Sequence, residues 1–202
     1  FRRYELAFAN QSLHDVVNLG GLFDSVKRAL KPGGWFIVSD MIGRNAGMYW
    51  PETLHASEPF WNELPHTYRY NRLLNRQEDR FSNAGAPDKN VEVNRSQEIL
   101  PQLLTRFNFR FFFPFGNMIF MFIDRSFGHN FDAGAYWDRD FIDRVHARDE
   151  AGLISGELKP GSMLAVLTKM ETSSVLRHEG LTPEKCVRVV PVNGVIDAGR
   201  VQ

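Results

Sequence analysis

The sequence has a single cysteine, Cys186, no excess of charge of either sign and no long apolar run. One cysteine excludes an internal disulfide framework and a cluster of thiolate metal ligands within one chain. Lys and Arg number 24 and so do Asp and Glu, so the overall charge does not favour nucleic acid or an acidic membrane surface as a partner. No apolar stretch reaches membrane-spanning length. We therefore expect a soluble, cytoplasmic protein with no nucleic-acid partner and no membrane partner.

What is present is enough for one sizeable domain. The chain has 202 residues, of which 43% are hydrophobic and 13% aromatic, and a chain of this size can bury a packed core. It opens with Phe1 instead of Met and enters an apolar stretch within a few residues. We therefore expect a piece of a longer protein, with further domains or a homo-oligomer as the partners.

The first forty residues have a strand-helix-strand pattern. Residues 4–9 and 35–38 are short apolar runs, and the second is typical of a strand buried on both faces of a parallel sheet. Between them, apolar residues recur at helical spacing, and Pro32 ends the helix. The helical positions are Leu19, Leu22, Phe23, Val26, Ala29 and Leu30. Two parallel strands joined by a crossover helix predict an α/β fold.

Regular patterning weakens over residues 44–94, a stretch rich in Trp, Tyr, His, Pro and Arg. A connection this long in a compact domain is typical of a lid or substrate-binding insertion, or it contains short helices, and we expect both. Regularity then resumes with a helix over residues 96–106, capped by Ser96, and a Phe-rich strand over 107–115 with Phe at alternate positions. Pro114 places the end of that strand at an edge or terminus.

The remaining pattern predicts helices over 118–127 and 141–153, a strand over 163–167 and a tail or linker over 171–202. Within that tail, residues 187–192 form a further extended segment in this prediction.

Polar residues follow both early strands. Ligands of open α/β sheets bind outside the carboxyl ends of the strands, so Asn10, Gln11, His14 and Asp40 are candidates. Asn10 and Ser12 have the alternative roles of capping and turn formation. Histidine side chains titrate close to neutral pH, which suits His14 for a general base, although a histidine beside a helix start is often a cap or a packed side chain.

Further candidates lie in the 44–94 insertion. His55 and His66 are placed to touch a substrate, and Arg69, Arg72, Arg76 and Arg80 would form a basic stripe on a helix. Such a stripe would bind a phosphate or an acidic sugar, or it would be a solvated face. The histidines lack metal-ligand spacing, and we predict no metal requirement.

Three motifs stand out in the first forty residues: Tyr4-Glu-Leu-Ala-Phe-Ala-Asn-Gln-Ser-Leu-His14, Ala29-Leu-Lys-Pro-Gly-Gly34 and Trp35-Phe-Ile-Val-Ser-Asp40. Together they resemble the latter half of a class I S-adenosylmethionine-dependent methyltransferase. The resemblance covers residues 1–170. Leu64-Pro-His-Thr-Tyr-Arg69, Arg95-Ser-Gln-Glu-Ile-Leu100 and Pro114-Phe-Gly116 are similar to a bacterial subgroup found with sugar and polysaccharide biosynthesis.

The resemblance implies a Rossmann-like sheet in which the strand at 163–167 is antiparallel and lies between the strand at 35–38 and the Phe-rich strand. It implies S-adenosylmethionine as cofactor, facing Asn10 and Gln11, and a small-molecule or sugar acceptor that contacts Asp40, His66 and Arg69. His14 is the candidate base. The family's Gly-rich cofactor loop and ribose-binding acidic residue are expected before this stretch of sequence, so we expect the fragment alone to be inactive.

Two other functions remain open at this point. One is a non-catalytic methyltransferase-like scaffold or interaction domain, which the aromatic insertion would permit. The other is a nicotinamide-dependent oxidoreductase, for which a parallel final strand is expected.

Overall fold

The computed structural model describes residues 3–83, 95–171, 175–178 and 180–188. Its strands are β1 (Tyr4–Asn10), β2 (Leu30–Met41), β3 (Tyr70–Asn71), β4 (Arg76–Gln77), β5 (Asn108–Phe115), β6 (Ser162–Thr168) and β7 (Leu176–Arg177). Its α-helices are α1 (Leu19–Ala29), α2 (Pro51–Glu63), α3 (Ser96–Leu104), α4 (Phe120–Ile123), α5 (Tyr136–Ser155) and α6 (Pro183–Cys186). None of these helices is long and apolar enough to span a membrane.

Five strands form one mixed sheet in the order β1-β2-β6-β5-β7. Strands β1 and β2 are parallel, with Asn10 opposite Ser39, and α1 is the crossover between them. Strand β6 is antiparallel to both β2 and β5 and lies between them. The α/β prediction is confirmed, and the place of β6 agrees with the arrangement that the methyltransferase resemblance implies.

The two faces of the sheet differ in burial. Phe36 and Val38 of β2 lie on the face that α1 and α3 cover, and the Phe36 ring contacts Phe23 of α1 at a centroid distance of 6.2 Å. On the opposite face, Phe8 is 63% and Trp35 is 41% exposed. The prediction that residues 35–38 are buried on both faces is therefore wrong, because the helices of the described residues pack on one face.

Strand β5 also departs from the predicted alternation. The pairing with β6 shifts register between Phe109 and Phe111, so the side chains beyond this irregularity change faces. Phe112 is fully buried whereas Phe113 is 36% exposed. The predicted inward row of odd-numbered phenylalanines is thus wrong after Phe109, although Pro114 does lie at the end of the strand as predicted.

The helix predicted over 118–127 is much shorter, because α4 has only four residues. Asp124 is extended, and its Oδ1 accepts hydrogen bonds from the backbone N–H groups of Ser126 and Phe127, which forms a turn instead of another helical turn. The prediction for residues 141–153 was correct in kind, but α5 begins earlier, at Tyr136. It ends before Gly156, whose φ of 81° is the left-handed conformation that favours glycine.

The described part of the predicted insertion, residues 44–83, contains α2 and the β3–β4 hairpin. Arg69, Arg72, Arg76 and Arg80 lie in a 3-10 turn, this hairpin and its flanks, so the helical basic stripe is wrong. Ser96 is the first residue of α3, after Arg95 at the cap, and its hydroxyl donates to Gly43 O at 3.1 Å. Residues 84–94 and 189–192 lie outside the described residues, and the division into a 1–170 domain and a 171–202 tail stays a prediction.

Candidate functional site

A cavity of about 560 Å³ lies where the ends of the central strands meet the insertion. Gln11 follows β1, Met41 ends β2, Phe115 ends β5 and Ser162 begins β6, and all four line this space. The other wall comes from Arg44, residues 46–50, Glu78 and residues 80–83 of the insertion. The cavity therefore occupies the position at the carboxyl ends of parallel strands where α/β sheets bind ligands, as the sequence predicts.

Gln11 lines the cavity and Asn10 does not. Gln11 has a left-handed φ of 47°, and its backbone N–H donates to Ser39 O at 2.8 Å. This bond ties the end of β1 to β2, which fixes Gln11 at the cavity edge. Asn10 is exposed and is paired with Ser39 in the sheet.

His14 and Asp40 form a buried pair behind the strand ends. Nδ1 of His14 lies 2.5 Å from Oδ1 of Asp40, and the two residues are 6% and 1% exposed. Oδ2 of Asp40 accepts hydrogen bonds from the backbone N–H groups of Ser12 and Leu13, both at 2.8 Å. Asp40 was predicted to contact substrate, but the structure places its carboxylate in the interior, where it holds the loop that follows β1.

The remaining ring nitrogen of His14, Nε2, lies 3.5 Å from Oδ2 of Asp15. Among the described residues, His14 is not part of the cavity lining. Its role as a base stays a prediction, and the structure adds that Asp40 fixes the orientation of the ring.

His66 and Arg69 also lie outside the cavity lining. His66 is exposed, and its carbonyl oxygen accepts a hydrogen bond from the Gln77 side chain. The Arg69 guanidinium donates to Leu64 O at 2.7 Å and to Asn62 O at 3.1 Å. Arg69 therefore ties the end of α2 to the hairpin, a structural contact where the sequence predicts a substrate contact.

Sequence patterns did not single out Tyr49 and Asn83, which are central to the cavity wall. Oδ1 of Asn83 accepts from Tyr49 N at 2.8 Å, and Nδ2 of Asn83 donates to Tyr49 O at 2.9 Å. The Tyr49 ring also meets Phe81 edge-on, with centroids 5.4 Å apart. The only sequence signal was that Tyr49 precedes Trp50-Pro51 in an aromatic-rich stretch.

Burial shifts the pKa of two groups at the cavity. Burial raises the pKa of the Tyr49 phenol, and the negative charges of Asp124 and Asp149 raise it further, so the phenol stays protonated. Burial also raises the pKa of the Asp124 carboxyl. Asp124 is nevertheless exposed to solvent. The exposure and the raised pKa are both explained if the carboxyl lies in a concave part of the surface, where water reaches it but many protein atoms are near.

An arginine pair flanks Trp50. The guanidinium carbons of Arg44 and Arg188 lie 5.1 Å and 3.9 Å from the centre of the Trp50 ring, within the range of cation–π contacts. Nη1 of Arg44 also donates to Tyr49 O at 2.9 Å. Among the described residues, no three His, Cys, Asp or Glu side chains are grouped so that they could hold a metal ion.

The sequence matches no protein-family model, and it matches no curated protein. Among solved structures, the chain is similar to the crystal structure of the [4+2]-cyclase SpnF, with 16% sequence identity and a TM-score of 0.39. The match covers 83% of this chain and 51% of the SpnF chain. The chain thus spans about half the length of that protein, and a similarity at this TM-score carries no argument about function.

Proposed function

We propose that this chain takes part in S-adenosylmethionine-dependent methyl transfer to a small molecule bound in the strand-end cavity. The observation that carries the proposal is the placement of the cavity at the ends of the parallel pair β1 and β2, with the antiparallel β6 beside them. This is the sheet arrangement that the sequence motifs imply. An antiparallel β6 counts against the nicotinamide-dependent oxidoreductase, for which a parallel final strand is expected.

The residues present fit part of the proposed methyl donor. The donor carries a sulfonium cation, and cations are attracted to the faces of aromatic rings such as Tyr49 and Phe115 in the cavity wall. Gln11 supplies an amide that can donate and accept hydrogen bonds at the same edge. Of the residues named for the cofactor, Gln11 is therefore the stronger candidate, and Asn10 stays a prediction.

When bound, S-adenosylmethionine supplies a methyl group that is activated by the positive sulfur. Its transfer to an oxygen, nitrogen or carbon of the acceptor would break the carbon–sulfur bond and leave the bonding electron pair on sulfur as a neutral thioether. The cavity wall contributes by holding the acceptor in line and by excluding water. If the acceptor is a hydroxyl, a base must take its proton. His14, oriented by Asp40, stays the predicted base, although its ring lies behind the strand ends and not in the cavity lining.

Calorimetric titration of S-adenosylmethionine tests the proposal, with the natural polypeptide that contains this sequence. We expect saturable binding that weakens in Gln11→Ala and is unchanged in Gln77→Ala, a glutamine outside the cavity lining. Absence of binding would refute the proposal and favour the non-catalytic scaffold. If Gln77→Ala weakens binding as much as Gln11→Ala does, the donor does not bind at the cavity edge that Gln11 lines.

A further inference from the structure

The polar groups of the cavity wall are mostly bonded to the protein itself. Asn117 Nδ2 donates to Lys159 O at 2.5 Å, Lys159 Nζ donates to Lys185 O at 2.7 Å, and Arg76 Nε donates to Glu78 Oε1 at 2.8 Å. The bonds of Ser96 and Arg44 described above belong to the same set. These groups are therefore already satisfied, whereas the side chains of Gln11, Tyr49, Arg80 and Arg125 in the lining have no such bond among the described residues.

The Tyr49 phenol is one of the side-chain groups of the wall that have no such bond. Within the described residues the Tyr49 hydroxyl has no hydrogen-bond partner, and its oxygen is not fully buried. The two bonds from Asn83 fix the Tyr49 backbone, and Phe81 supports the ring. A rigidly held donor without a partner at a cavity wall is a group that can orient a ligand.

The rest of the wall is largely aromatic or apolar. Trp50, Phe81, Phe115, Phe120 and Phe127 line the space, and its volume of about 560 Å³ is that of a site for a drug-sized molecule. Rings pack edge-on or offset against one another with a gain beyond simple burial. Two exposed arginines, Arg80 and Arg125, also line the cavity. Each has an acidic residue of the lining within two positions in the sequence, Glu78 and Asp124 respectively.

We propose that the acceptor of this cavity is a neutral aromatic compound that carries a hydroxyl group, with its ring against the aromatic wall and its oxygen bonded to the Tyr49 phenol. That the bound molecule is a methyl acceptor rests on the proposed function, whereas its binding depends only on the residues of the cavity wall. A sugar has no aromatic ring to place flat against the rings of Trp50, Phe81, Phe115, Phe120 and Phe127. A phosphate would leave the aromatic wall unused, and the acidic neighbours of Arg80 and Arg125 oppose it.

The test is calorimetric titration of 4-ethylphenol, ethylbenzene, methyl β-glucoside and glucose 6-phosphate into the protein without S-adenosylmethionine. We expect 4-ethylphenol to bind most tightly and Tyr49→Phe to weaken its binding about three- to tenfold, the effect of one hydrogen bond. Ethylbenzene has no oxygen, so its binding should not respond to Tyr49→Phe. Tyr70→Phe is the matched control, because Tyr70 does not line the cavity.

Tighter binding of the glucoside or the sugar phosphate would overturn the inference, and so would a Tyr49→Phe variant that binds 4-ethylphenol as well as the unmodified protein. Removing one hydroxyl leaves the ring packing intact, and an unchanged unfolding midpoint verifies the fold of the variant. The two proposals fail separately: loss of phenol binding with S-adenosylmethionine binding intact overturns only the acceptor class. Phenol binding without S-adenosylmethionine binding supports the recognition and removes the methyl-transfer function.

Discussion

The imidazole of His14 and the carboxylate of Asp40 are 2.5 Å apart, although 26 residues separate them in the sequence. The contact joins the loop after β1 to β2, beside the cavity. Because the carboxylate also accepts backbone N–H groups of Ser12 and Leu13, this one side chain determines the path of the chain where the two parallel strands end.

Asp40→Asn should lower the free energy of unfolding by about 2–4 kcal/mol, because an amide cannot accept all the hydrogen bonds of the buried carboxylate. Chemical denaturation measures the change. Asp15→Asn is the control, since Asp15 is exposed, and equal losses in both variants would contradict the structural role of Asp40.

His14→Gln separates a catalytic role of the ring from a structural one. If His14 is the base, this variant should lower the turnover number and remove one limb of its pH profile, with the substrate KM largely unchanged. Methyl transfer by the natural polypeptide is the assay. An unchanged pH profile would show that the ring only packs against Asp40.

The two faces of the sheet should respond differently to truncation. Phe112→Ala removes a fully buried ring and should lower the free energy of unfolding by about 3–5 kcal/mol. Phe113 is the next residue and lies on the exposed face, so Phe113→Ala should lower the free energy of unfolding clearly less. Comparable losses on denaturation would mean that the face of Phe113 is covered in the folded protein.

Burial raises the pKa of the Asp149 carboxyl above its ordinary value of 3.8, despite the backbone N–H bonds that it accepts from Asn117 and Met118. Between the ordinary and the raised pKa, the folded protein keeps a proton that the unfolded chain has released. The stability of the protein relative to Asp149→Asn should therefore be highest below the ordinary pKa and fall as the pH rises through the raised one. Denaturation at a series of pH values measures this difference, and a rise with pH would contradict the shift.

Burial raises the pKa of the Cys186 thiol to about 11, from an ordinary value of 9.0. At mildly alkaline pH this leaves about a hundredfold less thiolate, and the side chain is also only 6% exposed. Alkylation by iodoacetamide should be slow in the native protein and fast in denaturant. As this is the single cysteine of the chain, equal rates would show directly that the segment around α6 is not packed.

Periodicity was sufficient to predict the strand-helix-strand unit and the parallel pair, because α1 and β2 each bury a regular row of side chains. Leu19 and Phe23 of α1, for example, are both fully buried, as the helical spacing predicts. Local irregularities escaped the same reasoning. The register shift after Phe109 and the turn that Asp124 forms depend on pairing and hydrogen bonds that no apolar pattern encodes.

The site was predictable in position but only partly in its residues. The rule of strand ends led to Gln11 and to the edge of the sheet where the cavity lies, whereas the pairing of Asp40 with His14 is a long-range contact. The charge of Arg69 predicts a substrate contact, but its guanidinium donates to carbonyl oxygens such as Leu64 O. No sequence pattern indicates the role of Tyr49, because its position is fixed by a hydrogen bond to Asn83, 34 residues away.

The most direct test of the central claim is photochemical cross-linking of isotopically labelled S-adenosylmethionine to the natural polypeptide, followed by mass spectrometry of its peptides. The account predicts label on Gln11, Met41, Gly43, Arg44 or residues 46–50, which line the cavity at and after the ends of β1 and β2. It also predicts loss of that label with excess unlabelled donor. Label confined to residues outside the cavity, or none that excess donor removes, would contradict it.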